Sequence, residues 1–366
     1  VRQVVALGKI SQENDGITVH FEKTEGLSIP ISYATLKSCP ELSQMEYLVN
    51  PQGSLFKMTQ DEYDFIMDLI REENSAVEEM SDEIYNREDF LREVYMTPQG
   101  YDTLVSLLEH KKNLILQGPP GVGKTYAANR LVYSIMGIKD DSRVELIQFH
   151  QNYSYEDFIM GYKPQGDGFE LQNGVFFRFC QKAANRPTEP FFFIIDEINR
   201  GNISKIFGEL LMLIEKEYRG TKVTLAYNGL PFTVPKNLYI IGMMNTADRS
   251  LAIIDYALRR RFSFYEMEPG FHSEGFIEYK NAFDNDTFNT LIERIQELNK
   301  EISADSSLEK GFCIGHSYFC EQKECTDEWM EQTVEYEILP MLREYWFDEN
   351  SKLQKWENTL RGAFND

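Results

Sequence analysis

The stretch Gly118-Pro119-Pro120-Gly121-Val122-Gly123-Lys124-Thr125 decides the fold of this 366-residue chain. It matches the pattern G-x-x-x-x-G-K-[ST], with the apolar residues 114–116 before it and a helical segment beginning near Tyr126 after it. In that setting the glycines let successive backbone N–H groups surround phosphate oxygens, Lys124 supplies charge, and the Thr125 hydroxyl ligates Mg²⁺. The whole segment, together with Tyr126, is therefore predicted to bind a nucleoside triphosphate.

A second apolar run, residues 191–195, ends in Asp196 and Glu197. Strands that are buried on both faces form such continuous apolar runs, and catalytic groups gather at their carboxyl ends. Asp196 is predicted to hold Mg²⁺ through water, and Glu197 to orient and deprotonate the attacking water. Asn199 has two open interpretations, since it either positions the same water or caps a helix that begins near Asn202.

A third apolar run, residues 238–242, leads to Asn245, which we expect to reach the terminal phosphate or the attacking water. Three consecutive arginines follow, Arg259, Arg260 and Arg261. A solvated basic turn would explain them. An arginine that reaches across a subunit boundary to a transferring phosphoryl group is, however, a recurring catalytic device, and this device requires an oligomer.

The pattern along the chain predicts an α/β protein with a parallel sheet. β-branched runs at residues 4–10 and 17–21, joined by the polar turn 11–16, predict a hairpin. Thr59 with Glu62 predicts the start of an amphipathic helix whose apolar face contains Tyr63, Ile66, Met67 and Ile70. Further on, short apolar strands alternate with helical segments, and five runs are predicted as strands: 114–116, 144–148, 191–195, 238–242 and 262–264. After Pro269 only helical spacing remains. The predicted parts are a small β-rich N-terminal module (1–71), an acidic linker and helix (72–96), an α/β nucleotide-binding core (97–269) and a helical lid domain (270–366).

Composition limits the classes of function. The 37 Lys and Arg against 59 Asp and Glu give a net charge of −22, so the average surface repels a polyanion and any contact with nucleic acid must be local. The five cysteines form no C-x-x-C pair and fit a reducing cytoplasm. No apolar run approaches the ~20 residues of a membrane span, and no secretory signal follows Val1. A cytoplasmic protein without a membrane role is predicted.

Together these motifs resemble the AAA+ ATPase superfamily, and the sequence between the motifs is similar to the McrB family of motor subunits from modification-dependent restriction systems. The similarity covers residues 113–319 and includes the segments 148–158, 196–200, 244–249 and 314–319. It implies an AAA+ P-loop NTPase core with a C-terminal helical lid. It also implies a hexameric ring with nucleotide between subunits, a preference for GTP over ATP, and an McrC-like endonuclease partner that stimulates hydrolysis and cuts DNA.

The resemblance assigns roles to individual residues. It makes Asn245 the first sensor, Arg260 and Arg261 the best candidates for fingers that act in trans, and Asp248 and Arg249 contacts between subunits at the nucleotide. No lid arginine occupies the usual second-sensor setting. His316 lies in the comparable segment, and it is either a packed lid histidine or a nucleotide contact.

Two points stay open at the level of sequence. The phosphate-loop motif contacts phosphates and metal only, so it does not distinguish GTP from ATP. The N-terminal module would be only the last part of a DNA-recognition domain, because it is short and has no basic aromatic patch. A MoxR-like ATP-dependent remodelling chaperone is the alternative function, and the acidic surface fits it. A nucleotide switch without turnover is disfavoured by Glu197 and the arginines.

Overall fold

A computed structural model of the chain describes residues 3–10, 21–50, 56–75, 83–165, 168–247, 259–320 and 322–364. The chain divides into two compact units. The first comprises Val1–Glu83 and Gln181–Glu189, and the second comprises Ile84–Cys180 and Pro190–Asp366.

The first unit is built on an antiparallel strand pair. Strands β1 (Gln3–Ile10) and β2 (Phe21–Ser32) pair from Gln3 opposite Ser32 to Ile10 opposite Phe21. The predicted first strand, residues 4–10, is confirmed. Its partner strand contains Phe21, the last residue of the predicted run 17–21, and continues to Ser32. Residues 17–20 and the predicted turn 11–16 lie outside the described residues. Three helices follow: α1 (Tyr33–Ser38), α2 (Glu46–Val49) and α3 (Gln60–Ser75).

Helix α3 begins at the capping box that the sequence predicts. The Glu62 amide donates to Thr59 Oγ1 at 3.2 Å, and the Thr59 amide donates to Glu62 Oε2 at 2.8 Å. Ile66 and Ile70 are buried with side chains of β2, which confirms the predicted amphipathic face. Tyr63 was expected on that face but is 48% exposed, because it lies in the first turn beside the solvent-facing cap. The helix continues into the predicted linker as far as Ser75, and residues 76–82 are outside the described part.

The second unit contains the strands and helices of the α/β core. Its strands are β3 (Asn113–Gly118), β4 (Val144–Gln148), β5 (Met160–Gln165), β6 (Gly168–Asn173), β7 (Phe191–Asp196), β8 (Val223–Thr224), β9 (Pro231–Phe232), β10 (Leu238–Asn245) and β11 (Ser263–Glu266). The helices along this part of the chain are α4 (Arg87–Glu93), α5 (Pro98–Lys111), α6 (Lys124–Met136), α7 (Tyr155–Phe158), α8 (Val175–Asn185) and α9 (Ile203–Phe207).

Five of these strands form one parallel sheet in the order β11–β3–β10–β7–β4. The five apolar runs predicted as strands are all present, and the parallel α/β core is confirmed. All of residues 191–195 are 0% exposed, because side chains cover both faces of the central strands. Ile194 packs with residues of α5 and α6, whereas Phe193 contacts Phe158 and Phe176 on the opposite face.

The register of the sheet brings its functional ends together. Asn245 at the end of β10 is paired with Gly118 at the end of β3, and Asp196 at the end of β7 is paired with Gln148. The carboxyl ends of parallel strands lie at one edge of a sheet, which is where ligands bind in open α/β folds. The candidate residues therefore lie along this edge.

The lid is helical, as predicted. Phe288, Leu291, Ile292 and Ile295 are the buried face of its longest helix and are 0% exposed. The helical spacing at residues 329–345 corresponds to two helices joined by a π turn just before Pro340, which has no N–H to continue the ladder. No helix in the described ranges combines the length and apolar composition needed to cross a membrane. The lid elements are Glu274–Ala282, Asp286–Ala304, Asp327–Thr333, the π turn Val334–Ile338, Leu339–Tyr345 and Asn350–Arg361.

Candidate functional site

The phosphate loop is the turn that joins β3 to α6. Gly121 and Gly123 have φ angles of +77° and +70°, a left-handed conformation that glycine adopts without strain. These turns bring the chain from the end of a buried strand to the N-terminus of a 13-residue helix. A helix N-terminus with free amides and a positive dipole end favours anions.

Lys124 lies inside this loop and is 9% exposed. Its Nζ donates to the carbonyl oxygens of Gly118 at 3.0 Å and Pro119 at 2.9 Å. Burial lowers the pKa of Lys124 to about 8, and the nearby Glu197 and Asp196 carboxylates oppose this shift. The ammonium group is thus held in a site that compensates its charge poorly, and a bound anion would stabilise it.

Tyr126, in the first turn of α6, is tied to the helix that precedes the core. Its hydroxyl donates to Glu93 Oε2 at 3.3 Å, and the same oxygen accepts from Arg130 Nε at 2.6 Å and the Tyr85 hydroxyl at 3.1 Å. No sequence pattern indicates this cluster, because Glu93 lies 33 residues before Tyr126. It fixes one side of the loop to α4.

Two adjacent carboxylates follow β7. Burial, with a smaller contribution from the Glu197 charge, raises the pKa of Asp196, and the Glu197 amide donates to Asp196 Oδ1 at 2.9 Å. Glu197 itself is 8% exposed and has a left-handed backbone with φ of +50°. Such a conformation is strained for a residue with a Cβ, and strain of this kind clusters at functional sites.

Both oxygens of Glu197 have defined partners. Asn245 Nδ2 donates to Oε1 at 2.8 Å, and Arg200 Nε donates to Oε2 at 3.0 Å. The structure therefore brings together Lys124, Glu197 and Asn245, three residues that the sequence predicts for one site. Arg200 was not predicted as a site residue. Its position three residues after Glu197 is the signal that could have identified it.

Asn199 lies in the 3₁₀ turn Ile198–Arg200 and does not cap the next helix. That cap is Asn202, whose side chain accepts from the Lys205 amide at 3.0 Å, so the capping interpretation of Asn199 was wrong. Asn199 Oδ1 is buried and has no hydrogen-bond partner within the described part of the chain. A buried acceptor of this kind needs a partner, and a water molecule would supply one.

The arginine segment combines a buried and an exposed side chain. Arg261 is 8% exposed, and its Nε donates to the Leu211 carbonyl at 2.8 Å. Its Nη2 also lies 2.9 Å from Glu215 Oε1, the oxygen that accepts from Arg260 Nη2 at 3.0 Å. The Arg260 side chain is 67% exposed, and Arg259 is exposed as well. Arg261 is therefore anchored in its own core, whereas Arg260 projects from it. Asp248 and Arg249 are outside the described residues.

A buried polar network contacts the backbone of the arginine segment. Asn113 Nδ2 donates to the Arg261 carbonyl at 3.0 Å, and Arg219 Nη2 donates to Asn113 Oδ1 at 2.7 Å. Arg219 is 3% exposed, its Nη1 donates to the Leu238 carbonyl at 2.9 Å, and burial lowers its pKa to about 10. The network links the starts of β3 and β10 to the arginine segment. The sequence did not indicate Arg219, because its partners are distant in the chain.

His316 is packed in the lid beside the loop. Its Nδ1 accepts from the Gly270 amide at 2.8 Å, its side chain is 7% exposed, and burial lowers its pKa to about 4. The imidazole is consequently neutral at pH 7. Next to it, the Ser317 amide donates to the Gly121 carbonyl at 2.8 Å, so the lid contacts the phosphate loop directly.

Comparisons with known proteins agree with this architecture. Residues 113–262 match the AAA domain of the dynein-related subfamily, and residues 290–354 match the McrB α-helical lid domain. The chain is 49% identical over 292 residues to the type IV methyl-directed restriction enzyme EcoKMcrB subunit of Escherichia coli K12, covering 76% of this chain and 64% of that protein. It is 29% identical over 198 residues to the type II restriction enzyme BsuMI component YdiS of Bacillus subtilis 168, covering 43% of this chain and 57% of that protein.

The chain thus spans less than two thirds of the length of either relative. The two domain matches lie one after the other, on the parallel-sheet core and on the helical lid described above. With an AAA domain, an McrB-type lid and this identity to the E. coli subunit, the chain belongs to the McrB family of AAA+ proteins.

Proposed function

We propose that this chain binds a nucleoside triphosphate with Mg²⁺ and hydrolyses its terminal phosphate. The observation that carries the proposal is the arrangement at the carboxyl edge of the sheet. Lys124 lies in the loop at the end of β3, and Glu197 at the end of β7 is held by Asn245 from β10. Phosphoryl transfer to water requires a cation that binds the phosphates, a base that activates the water and a polar group that orients the base.

The residues at this edge fit a magnesium ion. Thr125 would contribute its hydroxyl and Asp196 its carboxylate, through water, and a cation there would offset the burial that raises the pKa of Asp196. When bound, Mg²⁺ would neutralise charge on the phosphate oxygens. Among the described residues, no group of three or more His, Cys, Asp or Glu side chains is placed to hold a metal, so the nucleotide and water would complete this site.

Glu197 is proposed as the base that orients and deprotonates the attacking water. Hydrogen bonds from Asn245 and Arg200 fix its carboxylate, and a fixed base is placed for the reaction before the nucleotide arrives. Asn199 would offer its unpartnered Oδ1 to the same water. Asn245 would act as the first sensor, since it is paired with Gly118 of the loop and its side chain donates to this base.

The complete site is proposed to form between subunits of a ring, by resemblance a hexamer. Arg260 is the better candidate for a finger that reaches the nucleotide of a neighbouring subunit, because its side chain is 67% exposed. Arg261 would contribute by anchoring the segment, since it is buried and paired with Glu215. Asp248 and Arg249 are proposed as further contacts between subunits.

The resemblance to the McrB family supports three further proposals. These are GTP as the preferred substrate, an McrC-like endonuclease as the partner, and DNA restriction driven by the ring as the biological role. DNA recognition would then belong to a region of which residues 1–71 are the end, and the site of action would be the cytoplasm. Both relatives are components of restriction enzymes and the lid is of the McrB type, which favours restriction over a MoxR-like chaperone function.

Steady-state hydrolysis of GTP and ATP, with and without an McrC-like endonuclease, tests the proposal. We expect turnover of GTP that exceeds turnover of ATP and increases when the endonuclease is added. Faster ATP turnover under both conditions would refute the GTP preference alone. Absence of turnover with either nucleotide, with and without the endonuclease, would refute hydrolysis.

A further inference from the structure

The lid and the phosphate loop meet through their backbones. The contact is formed by the 3₁₀ turn His316–Phe319 and the preceding Gly315. A Cβ on Gly315 would lie 1.9 Å from the Gly121 carbonyl carbon and 2.5 Å from the Val122 nitrogen. Only glycine at position 315 allows this approach, because no real Cβ comes so close to backbone atoms.

Gly121 is also covered by the ring of Tyr318. A Cβ at this position would lie 2.4 Å from Tyr318 Cε2, so the tyrosine ring covers the loop where glycine leaves room. The Ser317 amide donates to the Gly121 carbonyl at 2.8 Å. We call this contact of Gly315, Ser317 and Tyr318 with Gly121 the lid clasp.

The hydrogen bond of the lid clasp has a geometric consequence. A trans peptide is planar, and its C=O and N–H point in opposite directions. Because the Gly121 carbonyl points to Ser317, the Val122 N–H of the same peptide points away from the lid. The backbone N–H groups of such a loop are what bind phosphate, so the lid clasp orients one of these donors.

His316 ties the lid clasp to the segment that follows β11. Its Nδ1 accepts from the Gly270 amide, in the segment that follows β11, and its ring lies 5.5 Å from that of Tyr95. Because Nδ1 accepts, the proton of the neutral ring is on Nε2. This nitrogen lies 3.9 Å from the position of a Cβ on Gly123. The turn is therefore held by Gly270 through His316 and by the phosphate loop through Ser317.

We propose that the lid clasp sets the orientation of the Gly121–Val122 peptide for hydrolysis, with Ser317 and His316 as positioning residues, and that it links nucleotide binding to the lid. The inference rests on the proposed nucleotide hydrolysis and adds a role for lid residues that lie outside the phosphate-loop motif.

The first test inserts a methyl group into the lid clasp. Gly315→Ala is expected to lower kcat about 100-fold, because a displacement of about 1 Å at a reacting centre has effects of that size. KM should change much less than kcat. Gly168→Ala is the matched control, since a Cβ at Gly168 in β6 meets nothing within 4 Å, and it should retain wild-type kcat. Equal kcat values for the two variants would overturn the proposal.

Two further pairs of variants test the proposal if Gly315→Ala fails to fold, a failure that thermal melting would detect. His316→Ala removes the acceptor for Gly270 and should lower kcat about tenfold, the effect of about 1.4 kcal/mol. His316→Asn offers an amide oxygen as acceptor and should restore most of the loss. Tyr318→Ala should lower kcat as well. Tyr318→Phe keeps the ring and loses only a hydroxyl that contacts Met341 Sδ at 3.6 Å within the lid, so it should restore most of the loss. Identical kcat values within both pairs would contradict the proposal.

The second readout uses tryptophan fluorescence. The chain has three tryptophans, Trp329, Trp346 and Trp356, and all three belong to the lid core. Nucleotide bound in the loop should change their emission in the wild-type chain and change it much less in Gly315→Ala, with binding verified separately by a labelled nucleotide. A wild-type chain that binds nucleotide without this change would refute the lid clasp alone. A chain that shows the change but no hydrolysis would refute the proposed function alone.

Discussion

The buried ammonium of Lys124 predicts that nucleotide binding weakens at alkaline pH. In the free chain its pKa is lowered from 10.5 to about 8, a difference of about 2.5 pH units or about 3.4 kcal/mol. Phosphates in the loop would stabilise the charged form and raise this pKa again. Below pH 8 the loop is already charged and binding needs no proton. Above pH 8 binding must take up a proton, so the affinity falls with rising pH.

The size of the effect follows from the pKa of the free chain. The fraction of neutral Lys124 is about one tenth at pH 7 and about ten elevenths at pH 9. The dissociation constant should therefore rise about tenfold between these values, which corresponds to about 1.4 kcal/mol. Titration with a fluorescent nucleotide and Mg²⁺ at several pH values would measure it.

Lys124→Met is the matched variant, because it keeps a long apolar side chain and removes the titrating group. Its binding should be weaker by about 2 kcal/mol at pH 7, the value of a hydrogen bond to a charged group, and nearly independent of pH up to 9. A wild-type dissociation constant that stays constant from pH 7 to pH 9 would refute the reasoning. A Lys124→Met variant with the same tenfold change would do so too, since another group would then be titrating.

Three other predictions concern the base, the arginines and the lid. Glu197→Gln should lower turnover by about 10² to 10⁴-fold and leave binding of labelled nucleotide intact; unchanged turnover would remove Glu197 from the role of base. Arg260→Ala subunits mixed with Lys124→Ala subunits should recover activity, and no recovery would argue against a finger in trans. Arg261→Ala should mainly lower the melting temperature, because it removes one partner of Glu215 and the donor to the Leu211 carbonyl. The pKa of His316 is about 4 in the folded chain and 6.5 in the unfolded chain, so acid protonates the unfolded state first and the free energy of unfolding falls from pH 6.5 towards pH 4. Urea unfolding should show the wild type losing about 2 kcal/mol more than His316→Asn between pH 7 and pH 5. Equal losses would contradict this prediction.

Much of the core could be predicted because its signals are local. Residues 191–195 are apolar without interruption, and strands of this kind are buried on both faces, so their position and parallel pairing follow. Thr59 with Glu62 marks a helix start in the same local way. Sequence also indicated which residues share the edge of the sheet, since parallel strands end on one side.

The remaining features depend on contacts between residues that are distant in the chain. Glu215 pairs with Arg260 and Arg261, which are 45 and 46 positions away, and no sequence pattern around Glu215 indicates this pairing. Tyr63 was assigned to the buried face of α3 by helical spacing, but spacing does not reveal where the packing partner of a helix ends. Asn199 was considered as a cap, and the choice of Asn202 depends on where the 3₁₀ turn stops.

The shared oxygen of Glu215 has a consequence for how a subunit could lend a cation to its neighbour. A carboxylate with a single cationic partner is left as an uncompensated anion when that partner departs, and this loss opposes the departure. Here the buried guanidinium of Arg261 lies 2.9 Å from the same oxygen and would still compensate the Glu215 charge if the exposed guanidinium of Arg260 moved away. Release of Arg260 would therefore leave no uncompensated carboxylate behind, so its free-energy cost is low.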